Sequence, residues 1–404
     1  MARPIAPSGS PPRANPVDRM LGKGLQFLQD APTTKERMVV AHRGAQLIFD
    51  HWVTKAGLGA VAFGSNPERK QALADLRSVV AEAVATEGGA VDAMQAYTQG
   101  IDTLLQAMSE EALAEVGDAP TPFAVMALGS YGRQELSPYS DLDYGIVLDP
   151  ADPAAVKWGR KFAEALSRRI KQLGETTIFG LRGTRSCTTF SPVGFKALQL
   201  VGSIESYKKQ FASDAPSDQA MRDVLLNPRP VFGDAEVIKG LTSTLVEHLD
   251  AAPAQSPGSR QAVLQKVLDY LPTRRNPSGE LAKDGVLDVK DELFRAFVYP
   301  GIMMAVAWDL ESTSSIGRLK EAEEKGLVDP RLARAVEAAM EAAIQLRLHS
   351  HSEQGREQDH IPLTPEAASK LMRHHRVLTR YAQLAEKLAD LPEQSPFISK
   401  GPKS

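Results

Sequence analysis

The sequence predicts an α+β fold, in which a small mixed sheet is flanked by an N-terminal helical region and a C-terminal all-α bundle. Three observations predict it. Two short apolar runs, Phe123–Leu128 and Tyr144–Leu148, enclose a polar stretch rich in Gly, Ser and Pro, the pattern of two neighbouring strands around a loop. Apolar residues recur at helical spacing before Gly117 and again after Ala235. Between the first helical pattern and the sheet lies Gly117-Asp118-Ala119-Pro120-Thr121-Pro122, where each residue before a proline is driven out of the α region.

Residues 1–16 (MARPIAPSGSPPRANP) hold almost no bulky apolar side chains, so they cannot bury a core and read as a disordered arm. An N-terminal helical region follows over 17–117. Its stripes are Leu21, Leu25 and Leu28, then Val39, Val40 and Leu47, then 70–88, then 91–116 with Met94, Ile101, Leu104, Leu105 and Met108 on one side. The sheet domain is assigned to 118–234. Beyond its two strands it takes a helix after Pro153 with Phe162, Leu166, Ile170 and Leu173 on one stripe, and a third strand at Thr176–Phe179. Asn227–Gly233 reads as a loop, because Pro228 and Pro230 interrupt it. Helical patterns at 235–251, 260–271, 287–309, 312–325, 330–347 and 365–391 make up the bundle over 235–391, and 392–404 is a tail.

A chain that is 43% hydrophobic and 24% charged is neither fibrous nor membrane-like in class. Lys and Arg number 47 against 50 Asp and Glu, a net charge of −3, so any site for a polyanion must be local. The single cysteine, Cys187, excludes an internal disulfide framework and multi-cysteine metal centres, and fits a reducing, cytoplasmic compartment. No apolar run approaches the ~20 residues that span a bilayer, so no membrane partner is expected. The Pro- and Ser-rich arm shares its composition with signals for specialised secretion machines, which makes an exported effector the alternative location.

The chemistry concentrates in Met126–Leu148, MALGSYGRQELSPYSDLDYGIVL. Gly129 lets the backbone approach a phosphate closely, and Ser130 offers it a hydroxyl and an amide. Asp141 and Asp143 are two apart at the start of a strand, so their side chains share a face and can share a divalent cation. Hard carboxylates beside substrate phosphates suit Mg²⁺ or Mn²⁺, and that combination serves nucleotidyl transfer from an NTP.

The ordered string G-S-x-G-R-x-E-x-x-x-x-S-D-x-D, carried here by Gly129, Ser130, Gly132, Arg133, Glu135, Ser140, Asp141 and Asp143, resembles the DNA polymerase β-type nucleotidyltransferases. Within that superfamily it is similar to the N-terminal domain of the PII uridylyltransferases and to nucleotidyltransferases found beside CBS and cyclic-nucleotide-binding modules. The resemblance implies that Gly129 and Ser130 hold the triphosphate and that Asp141 and Asp143 are the catalytic metal ligands. It further implies that Arg133 contacts phosphate or organises the loop through Glu135. Leu287-Asp288-Val289-Lys290, Ser315-Ile316-Gly317-Arg318-Leu319 and Leu346-Arg347-Leu348-His349 look like motifs of the second group's helical domain, and Lys290 and Arg318 follow as nucleotide contacts. The acceptor implied is a hydroxyl of a protein, with RNA or a small molecule as alternatives.

Two departures from the pattern bear on mechanism. Two positions before Arg229, where the family generally carries an acid able to act as general base, this chain has Asn227, a neutral amide. Glu175, Glu205, Asp218 and Asp223 remain unranked candidates, and a nucleotide-binding sensor or scaffold without turnover is the alternative function. No adjacent His-Asp pair occurs, so the resemblance does not extend to a hydrolase that reverses the modification. The pairs His349/His351 and His374/His375 read as structural rather than metal ligands, lacking a His-Glu-x-x-His arrangement. Lys370 to Arg376 with Arg380 forms a basic helix face that is solvated surface or a contact for a phosphate-rich acceptor.

Overall fold

The computed structural model describes residues 66–85, 89–140, 142–171, 173, 201–213, 225–254, 256–271, 274, 276, 281–282 and 285–389. The arm, the helical pattern at 17–59, the strand expected at Thr176–Phe179 and the tail lie outside the described residues. So does Asp141. All described residues fall within the compact unit Ala60–Ser404.

Two helices lead in, α1 (Asn66–Val84) and α2 (Ala90–Val116), followed by strand β1 (Phe123–Ala127), the short helix α3 (Gly129–Gly132) and strand β2 (Tyr144–Leu148). Every residue of both strands is buried, as continuous apolar runs require when a sheet is covered on each face. Helix α4 (Pro153–Lys171) lies against β2 and against β3 (Val201–Ser203), which is followed by α5 (Ile204–Phe211). Trp158 and Phe162 on α4 meet Phe123 edge to face at 4.8 and 5.3 Å, so aromatic packing sets how α4 sits on the sheet.

The sheet order is β3-β2-β1-β4, with β2 and β3 parallel and the other pairs antiparallel. Here the structure corrects the reading of Asn227–Gly233 as a loop, because Arg229–Gly233 is strand β4 on β1. Pro230 is tolerated since β4 is the last strand of this sheet, and the register shifts between Val125 and Met126 opposite it. Helix α6 (Ala235–Ala251) packs on β1 and β4 and is capped by the Asp234 side chain, which accepts from Glu236 N at 2.9 Å.

The helical region continues with α7 (Arg260–Asp269), α8 (Arg295–Trp308), α9 (Ser315–Glu324), α10 (Pro330–Gln354) and α11 (Pro365–Ala389). Helix α8 is apolar nearly all round and is packed by α7, α9 and α11, the position such a helix must occupy. The bundle also holds a two-stranded antiparallel ribbon, β5 (Val286–Asp288) with β6 (His360–Pro362). The helix expected from residue 287 therefore begins at Arg295, after the ribbon and a π-turn at Lys290–Phe294.

The N-terminal helices and the C-terminal helical region are joined through side chains as well as through the chain. Glu341 of α10 accepts from Ala90 N and Val91 N, supplying a negative charge to the start of α2. Among the described residues no helix is long and apolar enough to cross a membrane.

Candidate active site

The β1–β2 register pairs Ala127 with Tyr144, and the ladder continues one step further as Leu128 N donates to Asp143 O at 2.9 Å. That step sets Gly129 directly against Asp143. A Cβ at Gly129 would stand 2.5 Å from Asp143 Oδ2, and the residue has φ +56°, so both space and backbone conformation demand glycine. Gly132 is excluded from substitution for another reason: a Cβ there would lie 2.2 Å from the backbone oxygen of Asn227. The loop between the strands thus owes its tight course to two glycines. Gln134 and Tyr139 also take positive φ, 60° and 66°, in the same loop.

Ser130 is half-buried, and its backbone oxygen accepts from Glu135 N at 2.8 Å. Of the two readings offered for Arg133, the structure shows the pairing with Glu135, Nε to Oε2 at 2.7 Å. Glu135 is 2% exposed, and its other oxygen accepts from Ser315 N at 2.7 Å. This carboxylate therefore ties the loop to the first residue of α9, a role that spacing alone did not reveal.

Arg318 is equally buried. It donates from Nε to Ser312 O at 2.8 Å and from Nη2 to the side-chain oxygen of Asn227. Burial, together with the nearby Arg133 charge, pulls its guanidinium down to about 10. Asn227 itself is fully buried, so a carboxylate at this position would face Arg318 rather than an open cleft. Of the other acids considered, Glu205 projects into solvent beside Lys208, at 3.8 Å, and Glu175, Asp218 and Asp223 lie outside the described residues.

Lys290 opens the π-turn and reaches Glu357 Oε1 at 2.8 Å and Asp359 Oδ2 at 3.8 Å. Arg347 donates to the same two acids at 3.0 and 2.8 Å, and its Nη2 lies 3.4 Å from Ser140 Oγ, next to Asp141. Thus Gly129, Ser130, Arg133 and Asp143 come together in one strand–loop–strand unit. Arg318 and Lys290 approach that unit from the helical region through Asn227 and the Glu357–Asp359 pair. Sequence reasoning missed Glu357 and Asp359, whose only signal was proximity to the Leu346–His349 segment.

The histidine pairs do not assemble. His349 is exposed beside Glu353 at 3.2 Å, whereas His351 is fully buried. Burial lowers His375, which lies 3.9 Å from Glu292, and it lowers His374 as well. Among the described residues no group of three or more His, Cys, Asp or Glu is placed to hold a metal ion.

Comparison with known proteins places family matches on both halves of this arrangement. A family model described as "Putative nucleotidyltransferase DUF294" matches residues 74–178, and "Putative nucleotidyltransferase substrate binding domain" matches 274–387. A bifunctional uridylyltransferase/uridylyl-removing enzyme of Burkholderia orbicola is 25% identical over 275 residues, 65% of this chain and 27% of that protein. The Bordetella pertussis protein of the same name is 24% identical over 258 residues, covering 63% of this chain and 25% of its own length. A bifunctional glutamine synthetase adenylyltransferase/adenylyl-removing enzyme of Corynebacterium efficiens is 25% identical over 285 residues, 65% of this chain and 25% of that protein. The chain spans about a quarter of the length of these relatives. The resemblance to polymerase β-type nucleotidyltransferases thus rests on domain matches as well as on the motif.

Proposed function

We propose, from a chain that carries both matched domains of the DUF294 nucleotidyltransferase family, that it transfers a nucleoside monophosphate from an NTP to an acceptor hydroxyl and releases pyrophosphate. The observation that carries this reading is the approach of Gly129 to Asp143, which sets the Asp143 carboxylate against a glycine turn where a Cβ would stand 2.5 Å from its Oδ2. Ser130, on that turn, would hold the triphosphate. Arg133, kept in place by Glu135, would face its charge.

Mg²⁺ or Mn²⁺ fits this donor set, since Asp143 is a half-buried hard oxygen donor and Asp141 is two residues away in sequence. When bound, the cation would neutralise charge developing on the transferred phosphoryl group. A protein hydroxyl is the favoured acceptor, because one relative is named for adenylylating glutamine synthetase; RNA is the alternative. A cytoplasmic location belongs to the same reading and rests on the lone Cys187.

Incubation with Mn²⁺ or Mg²⁺, each labelled NTP and a cell extract of acceptors is expected to give labelled product. Asp143→Ala should reduce labelling by about 100-fold or more, the scale of losing one preorganised electrostatic group at the reacting centre. Binding of nucleotide with no labelled product from any acceptor would favour a nucleotide-binding scaffold instead.

The position of Asn227 leads to a second expected result. Asn227→Asp should not raise the rate, because the new carboxylate would meet the Arg318 guanidinium. A gain of about tenfold or more, part of the 10²–10⁴ that a general base contributes, would instead make position 227 the base.

A further inference from the structure

The loop that leads into Asp141 and Asp143 is gripped from the helical region by one buried histidine. His351 lies on α10, fully buried. Its Nδ1 stands 2.9 Å from Pro138 O and 3.3 Å from Ser137 Oγ, and Ser137 Oγ is in turn 2.6 Å from Ser140 Oγ. On the other side of the ring, Nε2 lies 3.1 Å from Asp359 Oδ1. A carbonyl oxygen can only accept, so Nδ1 donates to Pro138. Burial alone would raise the Asp359 carboxyl, but the Arg347 charge and the hydrogen bonds from His351 and Arg347 outweigh it and hold the group far below the usual carboxylate range.

The geometry points to His351, backed by Asp359, as a positioning residue of the helical region that sets the Ser137–Ser140 segment, the stretch of loop that leads to Asp143. The segment has no regular secondary structure of its own, and Tyr139 within it holds φ +66° with Arg77 of α1 stacked 3.9 Å over its ring. Backbone in so sparsely populated a conformation persists only where its surroundings over-determine it. Two of the contacts that do so come from His351, more than 200 residues further along the chain. Ser140 immediately precedes Asp141 in the chain, so the segment His351 holds is the one that runs into the acidic pair. The consequence for metal rests on the reading of Asp141 and Asp143 given above.

Two substitutions separate positioning from mere packing. His351→Leu fills the space with no donor, whereas His351→Asn puts an amide N–H near the place of Nδ1. Two readouts on the full chain decide. Hydrogen–deuterium exchange of a peptide covering 134–143, with no nucleotide present, should rise in His351→Leu and return toward wild type in His351→Asn, while β1 stays protected. Mn²⁺ affinity, read by electron paramagnetic resonance of the free ion, should weaken about tenfold or more in His351→Leu and recover in His351→Asn, the range typical of groups that orient a metal site from behind its ligands. Unchanged loop exchange overturns the inference. So does raised loop exchange with unchanged Mn²⁺ affinity, and so does an equal loss in both variants. Should His351→Leu fail to fold, Ser137→Ala removes the hydroxyl shared with Ser140, and the same peptide must then exchange faster for the inference to stand. A wild-type chain that binds no Mn²⁺ overturns the proposed function, and the exchange readout still decides whether His351 grips the loop.

Discussion

Gly129→Ala is expected to lower nucleotidyl transfer by about 100-fold or more while the chain stays folded, because a displacement near 1 Å at the reacting centre has that effect. The added methyl would fall 2.5 Å from Asp143 Oδ2, and the carboxylate, being the side chain of the pair, is the part that must yield. The backbone contributes too, since φ +56° costs about 1–2 kcal/mol for a residue with a Cβ. Gly326→Ala separates the two effects. Gly326 has φ +73° with nothing within 4 Å of its would-be Cβ, so it carries the backbone strain alone. Labelled-NTP assays and thermal melts of both variants check the result: similar small losses of stability, with the loss of rate confined to Gly129→Ala. A Gly129→Ala chain that transfers at the wild-type rate would remove the approach to Asp143 from the mechanism.

The second large effect is on stability. Glu135→Ala is expected to destabilise the chain by about 3–5 kcal/mol, the loss seen when one member of a buried ion pair is removed and its partner is left charged. Here the stranded groups are the Arg133 guanidinium, which pairs with Glu135 at 2.7 Å, and the Ser315 amide at 2.7 Å. The cluster would retain two guanidiniums, Arg133 and Arg318, with the carboxylate between the sheet and helical regions gone. At about 1.5 °C per kcal/mol for the unit Ala60–Ser404, the melting midpoint should fall by roughly 5 °C. Glu135→Gln keeps an acceptor for Ser315 N and should lose less. A calorimetric midpoint for Glu135→Ala within a degree or two of wild type would show that Glu135 does not tie the two regions together.

These two residues also mark how far the sequence could be read. Strand β2 and helix α6 fall on the residues that periodicity assigned, and β1 ends one residue short of its assignment, because apolar runs and 3.6-residue stripes are local properties. The Gly-Ser turn between the two strands was legible for the same reason, as a contiguous polar string bounded by two apolar runs. Strand β4 was not, since Pro230 signals a break locally and only the neighbouring β1, a hundred residues earlier, makes an edge strand of it. The ribbon β5–β6 was hidden likewise, its three-residue strands lying far apart in sequence.

What the sequence determined by itself was the α+β class, the two central strands and the glycine-bearing loop between them. What only tertiary structure decided was the partner of each polar side chain around that loop. Asn227 is a missing acid when read in sequence; folded, it is a buried amide that accepts a hydrogen bond from Arg318. Arg318 and Lys290, singled out by their motifs, are held by Ser312, Asn227, Glu357 and Asp359. Glu135 and His351 gain their roles from Ser315, Pro138 and Asp359. Hydrogen bonds and ion pairs act over about 3 Å in space, without regard to separation along the chain, and so they are fixed only when packing brings the strands and helices together.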